Sequence, residues 1–146
     1  MTLLERLHAA RKANDLSRLS EAIPYARWMN MAPENSTGEL LTRMRYHPQL
    51  IGNSHLPALH GGTIGALLET AAIFHLLWET DNAALPRIIN ITVDYLRSGR
   101  PLDTLARATF TKLGRRVASV AVEAWQDDRS KPVGAAQLHF LVTPVK

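Results

Sequence analysis

Hydrophobic positions along this chain follow two different periods. Between Gly62 and Trp78 the apolar residues Ile64, Leu67, Leu68, Ala71, Ala72, Ile73, Phe74, Leu76 and Leu77 cover nearly every face of a helix. A helix that is apolar all round belongs inside a protein. With Glu69 and His75 within it, this one is too short and too polar for a membrane span. From Ile89 the period drops to two. Ile89, Ile91, Val93 and Tyr95 alternate with polar residues; so do Ala106, Ala108 and Phe110, then Ala118, Val120, Val122 and Ala124, then Gly134, Ala136, Leu138, Phe140 and Val142. Turn residues separate the four runs, at 98–101, at Gly114 and at 127–130. The pattern predicts four half-buried strands in an antiparallel meander.

The first half of the chain is less periodic. Leu3 to Glu21 reads as one helix with a patchy apolar stripe, ended by Pro24. An apolar, aromatic stretch from Tyr25 to Met31, turn residues at 33–38 and a strand from Glu39 to Tyr46 predict a hairpin. A loop from Gln49 to Leu59 then leads into the glycine pair Gly61-Gly62. The expected architecture is α+β and a single domain over residues 1–146. Residues 1–23 supply an N-terminal helix, and residues 24–146 an antiparallel sheet of about six strands curled around one central helix.

Composition narrows the choices. A chain of 146 residues, 46% apolar and 21% charged, is long enough for one real core and has an ordinary globular profile. The lack of cysteine excludes disulfides, thiolate metal sites and a cysteine nucleophile. Met1 to Arg6 lacks the features of a signal peptide, so a cytoplasmic location is expected. The net charge of +4 is uneven: Arg97, Arg100, Arg107, Lys112, Arg115 and Arg116 face only Asp103 across residues 97–116. Such a field suits an anionic partner. Nine scattered aromatic residues form no stacking platform, so neither a nucleic acid nor a membrane is the expected partner. His47, His55 and His60 are too loosely spaced for a metal site, and none is expected.

The candidate chemistry lies where the central helix begins. Two glycines there allow close approach to the backbone and present unpaired N–H groups at the positive helix end, a site for an anion or an oxyanion. Glu69 lies eight residues after Gly61, about 12 Å along the axis. One carbonyl cannot reach both groups on one helix. If they cooperate, two antiparallel copies must meet across a two-fold axis, so the functional unit is a homodimer. The structural alternative is that Glu69 simply pairs with a neighbouring basic or backbone group. Asn53 and His60 lie just upstream, Asn53 suited to orienting a water or a carbonyl and His60 to an orienting or capping role. His75 is expected in the core.

Leu59-His60-Gly61-Gly62, then Leu67-Leu68-Glu69-Thr70-Ala71, then Thr92-Val93-Asp94-Tyr95-Leu96-Arg97 and Gly114-Arg115-Arg116, resemble the hotdog-fold thioesterases of the PaaI-like, 4-hydroxybenzoyl-CoA thioesterase group. The likeness runs from roughly Gly38 to Val142. It implies a hotdog fold, assembled as a dimer or a dimer of dimers, and an acyl-CoA or aryl-CoA substrate with no cofactor beyond the coenzyme A it carries. The family's backbone oxyanion donor falls on Gly61 and its carboxylate, as base or nucleophile, on Glu69; Gly62 is expected to contact the substrate, and Asn53 is the nearest match to an assisting amide. With a CoA substrate, Arg97, Arg100, Arg115 and Arg116 become phosphate candidates, and Tyr95 and His139 candidates for lining the acyl or pantetheine path. Many members carry Asp where this chain has Glu69, and some place a Ser or Thr near Ile88 that has no clear counterpart here. Rival readings on the same fold are a non-catalytic acyl-CoA-binding or regulatory protein and a dehydratase, which would want a histidine base where this chain offers Glu69.

Overall fold

The computed structural model describes residues 1–145. In chain order its elements are helix α1 (Leu3–Lys12), a 3-10 helix (Leu16–Ala22), α2 (Pro24–Trp28), strands β1 (Met31–Ser36), β2 (Glu39–Met44), β3 (Ile51–Asn53) and β4 (Ala58–Leu59), helix α3 (Gly61–Glu79), and strands β5 (Arg87–Tyr95), β6 (Thr104–Leu113), β7 (Val117–Trp125) and β8 (Gly134–Leu141). Six strands form one antiparallel sheet in the order β1-β2-β6-β7-β8-β5. The sheet packs along α3, and β3 and β4 make a small separate hairpin that leads into it.

The expected central helix is present within one residue at each end. Its side chains Leu67, Leu68, Ala72, Phe74 and Leu76 are fully buried against Met44, Val120, Leu138 and Phe140 of the sheet. Each large apolar side chain so buried stabilises the fold by about 1.5–3 kcal/mol. The helix stops where side chains take over its last carbonyls. Thr80 Oγ1 donates to Leu76 O at 2.6 Å, and the buried Asn82 donates from Nδ2 to both Leu76 O and Thr80 O at 3.2 Å. Arg11 of α1 donates to Thr80 O and pairs with Asp81, which fastens the N-terminal segment to this end of α3.

Four expectations need correction. The N-terminal helix is not continuous to Glu21: α1 ends at Lys12, Asn14 turns left-handed at φ 54°, and the chain continues as a 3-10 helix capped by Asp15. Pro24 does not stop a helix but opens α2 from its first position, where its missing N–H costs nothing. The first hairpin begins at Met31, not Tyr25, and its turn is the pair Thr37-Gly38, both at positive φ as a tight two-residue connection requires. Pro33 lies inside β1, which is tolerable because β1 is an edge strand. Most consequential, the last four strands are not a simple meander. β5 pairs with β8, while β6 pairs with β2 as well as β7. The segment 96–103 is therefore a crossover and not a hairpin turn. It passes the start of α3, where Gly99 O accepts from Leu59 N–H and Gly99 packs closely on Leu59 and Ile64.

This crossover leaves β5 at an open edge. Its nine residues carry an outward row of unpaired backbone groups, and Ile88, Ile89 and Tyr95 are among its exposed side chains. The adjoining stripe of α3, Gly62, Gly65, Ala66, Glu69 and Ile73, is also only partly covered.

His75 is buried, as expected, with its ring 4.6 Å from that of Phe110 and Nδ1 without a partner among the described residues. Burial, reinforced by the nearby Arg107 charge, pushes its pKa down to about 4 from 6.5. The folded state thus prefers the neutral ring, and the stabilisation is complete above pH 6.5 and lost as pH falls towards 4. At about 1.4 kcal/mol per unit this amounts to about 3 kcal/mol. Unfolding free energies measured by denaturant titration across that window should fall by about this much more in the wild type than in His75→Leu.

Candidate active site

The start of α3 is built from its own side chains before any ligand arrives. His60 is the N-cap, and its Nδ1 accepts from Gly62 N–H at 2.9 Å. That bond leaves the proton of a neutral ring on Nε2. His60 O accepts both Thr63 N–H at 2.9 Å and Thr63 Oγ1–H at 2.6 Å, and His60 N–H donates to Leu50 O at 2.8 Å. Gly61 O accepts from the Tyr95 hydroxyl at 3.1 Å. The Gly61 N–H has no acceptor among the described residues. It is the donor left over at the positive end of a 19-residue helix.

The paired glycines therefore have a physical reason that the sequence alone did not show. A Cβ on Gly61 would stand 3.2 Å from Tyr95 Cε1, and one on Gly62 would stand 2.9 Å from His60 Nδ1. The space above both backbones is taken by the protein's own rings. Gly52, at 2.7 Å from His60 Cα by the same measure, lets β3 close on the cap.

Beside Gly61 lies a recess of about 370 Å³, lined by Ala58, Leu59, Ile64, Tyr95, Leu96, Arg97 and Gly99 among others. Glu69 lies two turns further along α3, half-buried, with no ion pair or hydrogen bond among the described residues. The structural alternative of a neighbouring partner is thus not realised. Burial raises its carboxyl above the ordinary carboxylate range.

The other expected residues fall into separate places. Asn53 ends β3, exposed, and spends Oδ1 on His55 N–H at 3.0 Å within its own loop. Arg97 donates to Pro132 O at 2.8 Å beside the Gly61 recess, and Arg100 pairs with Asp127. Arg115 and Arg116 are at the opposite end of the sheet, in the β6–β7 turn. There, with Arg87, Leu141, Val142 and Thr143, they line a larger recess of about 610 Å³. Arg87, missed by sequence reasoning, adds a third guanidinium; none of the three is in an ion pair with a described residue. Its signal was only its position at the start of an edge strand. His139 accompanies Gln137 on the sheet face away from α3 and bonds Asn90 at 2.7 Å. Among the described residues no His, Asp and Glu cluster could hold a metal ion.

An antiparallel sheet wrapped along one long helix, with an unclaimed amide at the helix start, is the hotdog architecture. A family model described as thioesterase superfamily matches residues 56–133, a little over half of the chain. The chain is similar to a crystal structure from Chromobacterium violaceum at 40% identity, with a TM-score of 0.78 over 97% of this chain and 99% of that one. Its fold is also similar to that of a thioesterase from Haemophilus influenzae (20% identity, TM-score 0.75, 90% of each chain) and of a Bacillus halodurans protein crystallised with CoA (16% identity, TM-score 0.74, 97% and 94%). Among curated proteins no match is found. The chain belongs to the thioesterase superfamily, and that membership supports thioester hydrolase activity.

The cap geometry makes a direct prediction. Gly62→Ala should displace the His60 ring and remove its bond to the helix start, destabilising the protein by about 1 kcal/mol. Denaturant unfolding measures the loss, and the imidazole nitrogen shifts report the ring's release.

Proposed function

We propose that the protein hydrolyses an acyl-CoA or aryl-CoA thioester to the free acid and CoA, in a site shared by two copies of the chain. One observation carries this reading: two groups of opposite character on one helix have no partner among the described residues, the Gly61 N–H no acceptor and the half-buried Glu69 no donor. They are about 12 Å apart along the axis, too far for one carbonyl. The open edge of β5 and the partly uncovered stripe of α3 supply the seam that unites them. Antiparallel pairing of β5 with its copy satisfies the unpaired edge and covers Ile88 and Ile89. Small residues at Gly62, Gly65 and Ala66 let the two helices approach, which brings Glu69 of the partner subunit towards Gly61.

In that site the thioester carbonyl oxygen takes the Gly61 N–H, whose strength grows as negative charge develops. Glu69 of the partner subunit, as base, takes a proton from water as its oxygen adds to the carbonyl carbon; as nucleophile, it adds directly and water later cleaves the anhydride. In either case the C–S bond breaks and the thiolate leaves. A carboxyl whose pKa burial raises is, once ionised, a stronger proton acceptor than an ordinary exposed carboxylate. His60 and Thr63 hold the donor's peptide; no cofactor beyond the substrate's own CoA takes part.

The same two-fold arrangement sets the recess of Arg87, Arg115 and Arg116 near the other subunit's helix start. β5 spans roughly 30 Å, and its reversal exchanges the Arg87 end for the Tyr95 end. Three guanidiniums suit the phosphates of a CoA nucleotide, with the pantetheine arm crossing between. The CoA in the Bacillus halodurans protein supports this choice of substrate.

Incubating the protein with a panel of acyl- and aryl-CoAs should release free thiol. Glu69→Gln should reduce kcat/KM by roughly 10² to 10⁴; full activity in that variant would reject the site. As base or as nucleophile the carboxyl must be ionised, so kcat/KM should rise with pH through a pKa above 4.5, the direction in which burial moves Glu69.

Arg115→Ala combined with Arg116→Ala should raise KM for the CoA thioester roughly tenfold or more, since a charged hydrogen bond is worth about 1.5 kcal/mol. The matching pantetheine thioester, which lacks the nucleotide, should respond to neither change.

A further inference from the structure

The bonds around Gly61 are unequally distributed. The His60–Gly61 peptide is held through its carbonyl by Thr63 N–H and Thr63 Oγ1–H. The next peptide, Gly61–Gly62, is held at both ends: its N–H by His60 Nδ1 and its carbonyl by the Tyr95 hydroxyl at 3.1 Å. The Tyr95 ring also lies over Gly61, near enough that a Cβ there would meet it at 3.2 Å, and its hydroxyl would stand 3.5 Å from a Cβ on Gly65. Tyr95 ends β5, paired with Gly134, so the phenol is anchored in the sheet while its tip reaches the helix. It is nevertheless 58% exposed. Core packing is therefore not what this ring does.

A glycine pair is the least constrained backbone a chain can make. Rotation about the Gly61 torsions re-aims the neighbouring peptide planes at little steric cost, and a donor that wanders loses the preorganisation on which oxyanion stabilisation depends. We infer that Tyr95 is a positioning residue: its hydroxyl, by holding the Gly61 carbonyl, fixes the direction of the Gly61 N–H, which has no acceptor among the described residues. This inference rests on the thioesterase reading of that amide. It assigns Tyr95 to the donor's geometry, in place of contact with the acyl or pantetheine chain.

The test is Tyr95→Phe in the full-length protein, which keeps the ring and removes only the hydroxyl. Activity is measured with whichever CoA thioester the wild type cleaves best, affinity with CoA itself, and backbone order by hydrogen exchange of the Gly61 and Gly62 amides. The expected result is a roughly tenfold fall in kcat, part of the 10² to 10³ that a lost oxyanion donor costs. KM and CoA affinity should stay within about twofold, and the Gly62 amide should exchange faster as the peptide loosens. Wild-type kcat in Tyr95→Phe overturns the inference. So does a fall confined to KM together with weaker CoA binding, because that marks a substrate contact. If the wild type cleaves no thioester, the functional reading fails on its own, and unchanged amide exchange in Tyr95→Phe would separately remove the pin.

Discussion

A helix that is apolar on every side needs a cover on every side, and one sheet cannot supply it. In this protein the strands β2, β6, β7 and β8 bury the greater part of α3, while the stripe through Gly62, Gly65, Ala66, Glu69 and Ile73 stays partly open. The same border carries the unpaired edge of β5. Incomplete covering of the helix and incomplete pairing of the sheet thus coincide along one line. Most of what the molecule can do chemically lies on that line: the Gly61 amide and the Glu69 carboxyl, both without a partner among the described residues, and the Tyr95 phenol between helix and strand.

Glycine has an unusual use at the start of α3. The pair Gly61-Gly62 gives room to Tyr95 and His60, which fold over the backbone and consume the groups that would otherwise face water. After these bonds form, the Gly61 amide has no acceptor among the described residues. A free helix start offers several unsatisfied N–H groups and attracts any anion. A start whose Gly62 and Thr63 amides are already engaged is more selective, because the Gly61 N–H rewards only an atom reaching its direction. The bare pair of glycines and the bulky rings above them are two halves of one device.

The arginines show how a charge count misleads until the chain is folded. The basic run from Arg97 to Arg116 divides into separate tasks. Arg107 joins Arg129 around Glu39, Arg100 pairs with Asp127, and Arg97 braces the Pro132 carbonyl. Arg115 and Arg116 have no ion-pair partner among the described residues and are joined by Arg87, from a different strand, around one recess. The local field is made at the end of the sheet by the meeting of β5, β7 and β8, so no window of sequence contains it.

Much was legible beforehand, and for local reasons. The mostly apolar stretch from Ile64 to Leu77, broken by Glu69 and His75, reads as a buried helix, and the four alternating runs between Ile89 and Val142 read as strands. The resemblance carried by His60-Gly61-Gly62 and Glu69 named the right family. Strand order was not legible, because a turn-rich segment such as 96–103 reads the same whether it reverses into a neighbour or crosses to the far side. Only the long-range choice of β2 over β5 as the partner of β6 decided that. Likewise Pro24 can end one helix or open another, and the difference depends on what precedes it in space. The chain by itself determined the elements and the chemical groups, since these follow from neighbours within a few residues. Tertiary structure alone decided which groups stay unsatisfied, because that depends on contacts between residues dozens of positions apart, as between Tyr95 and Gly61.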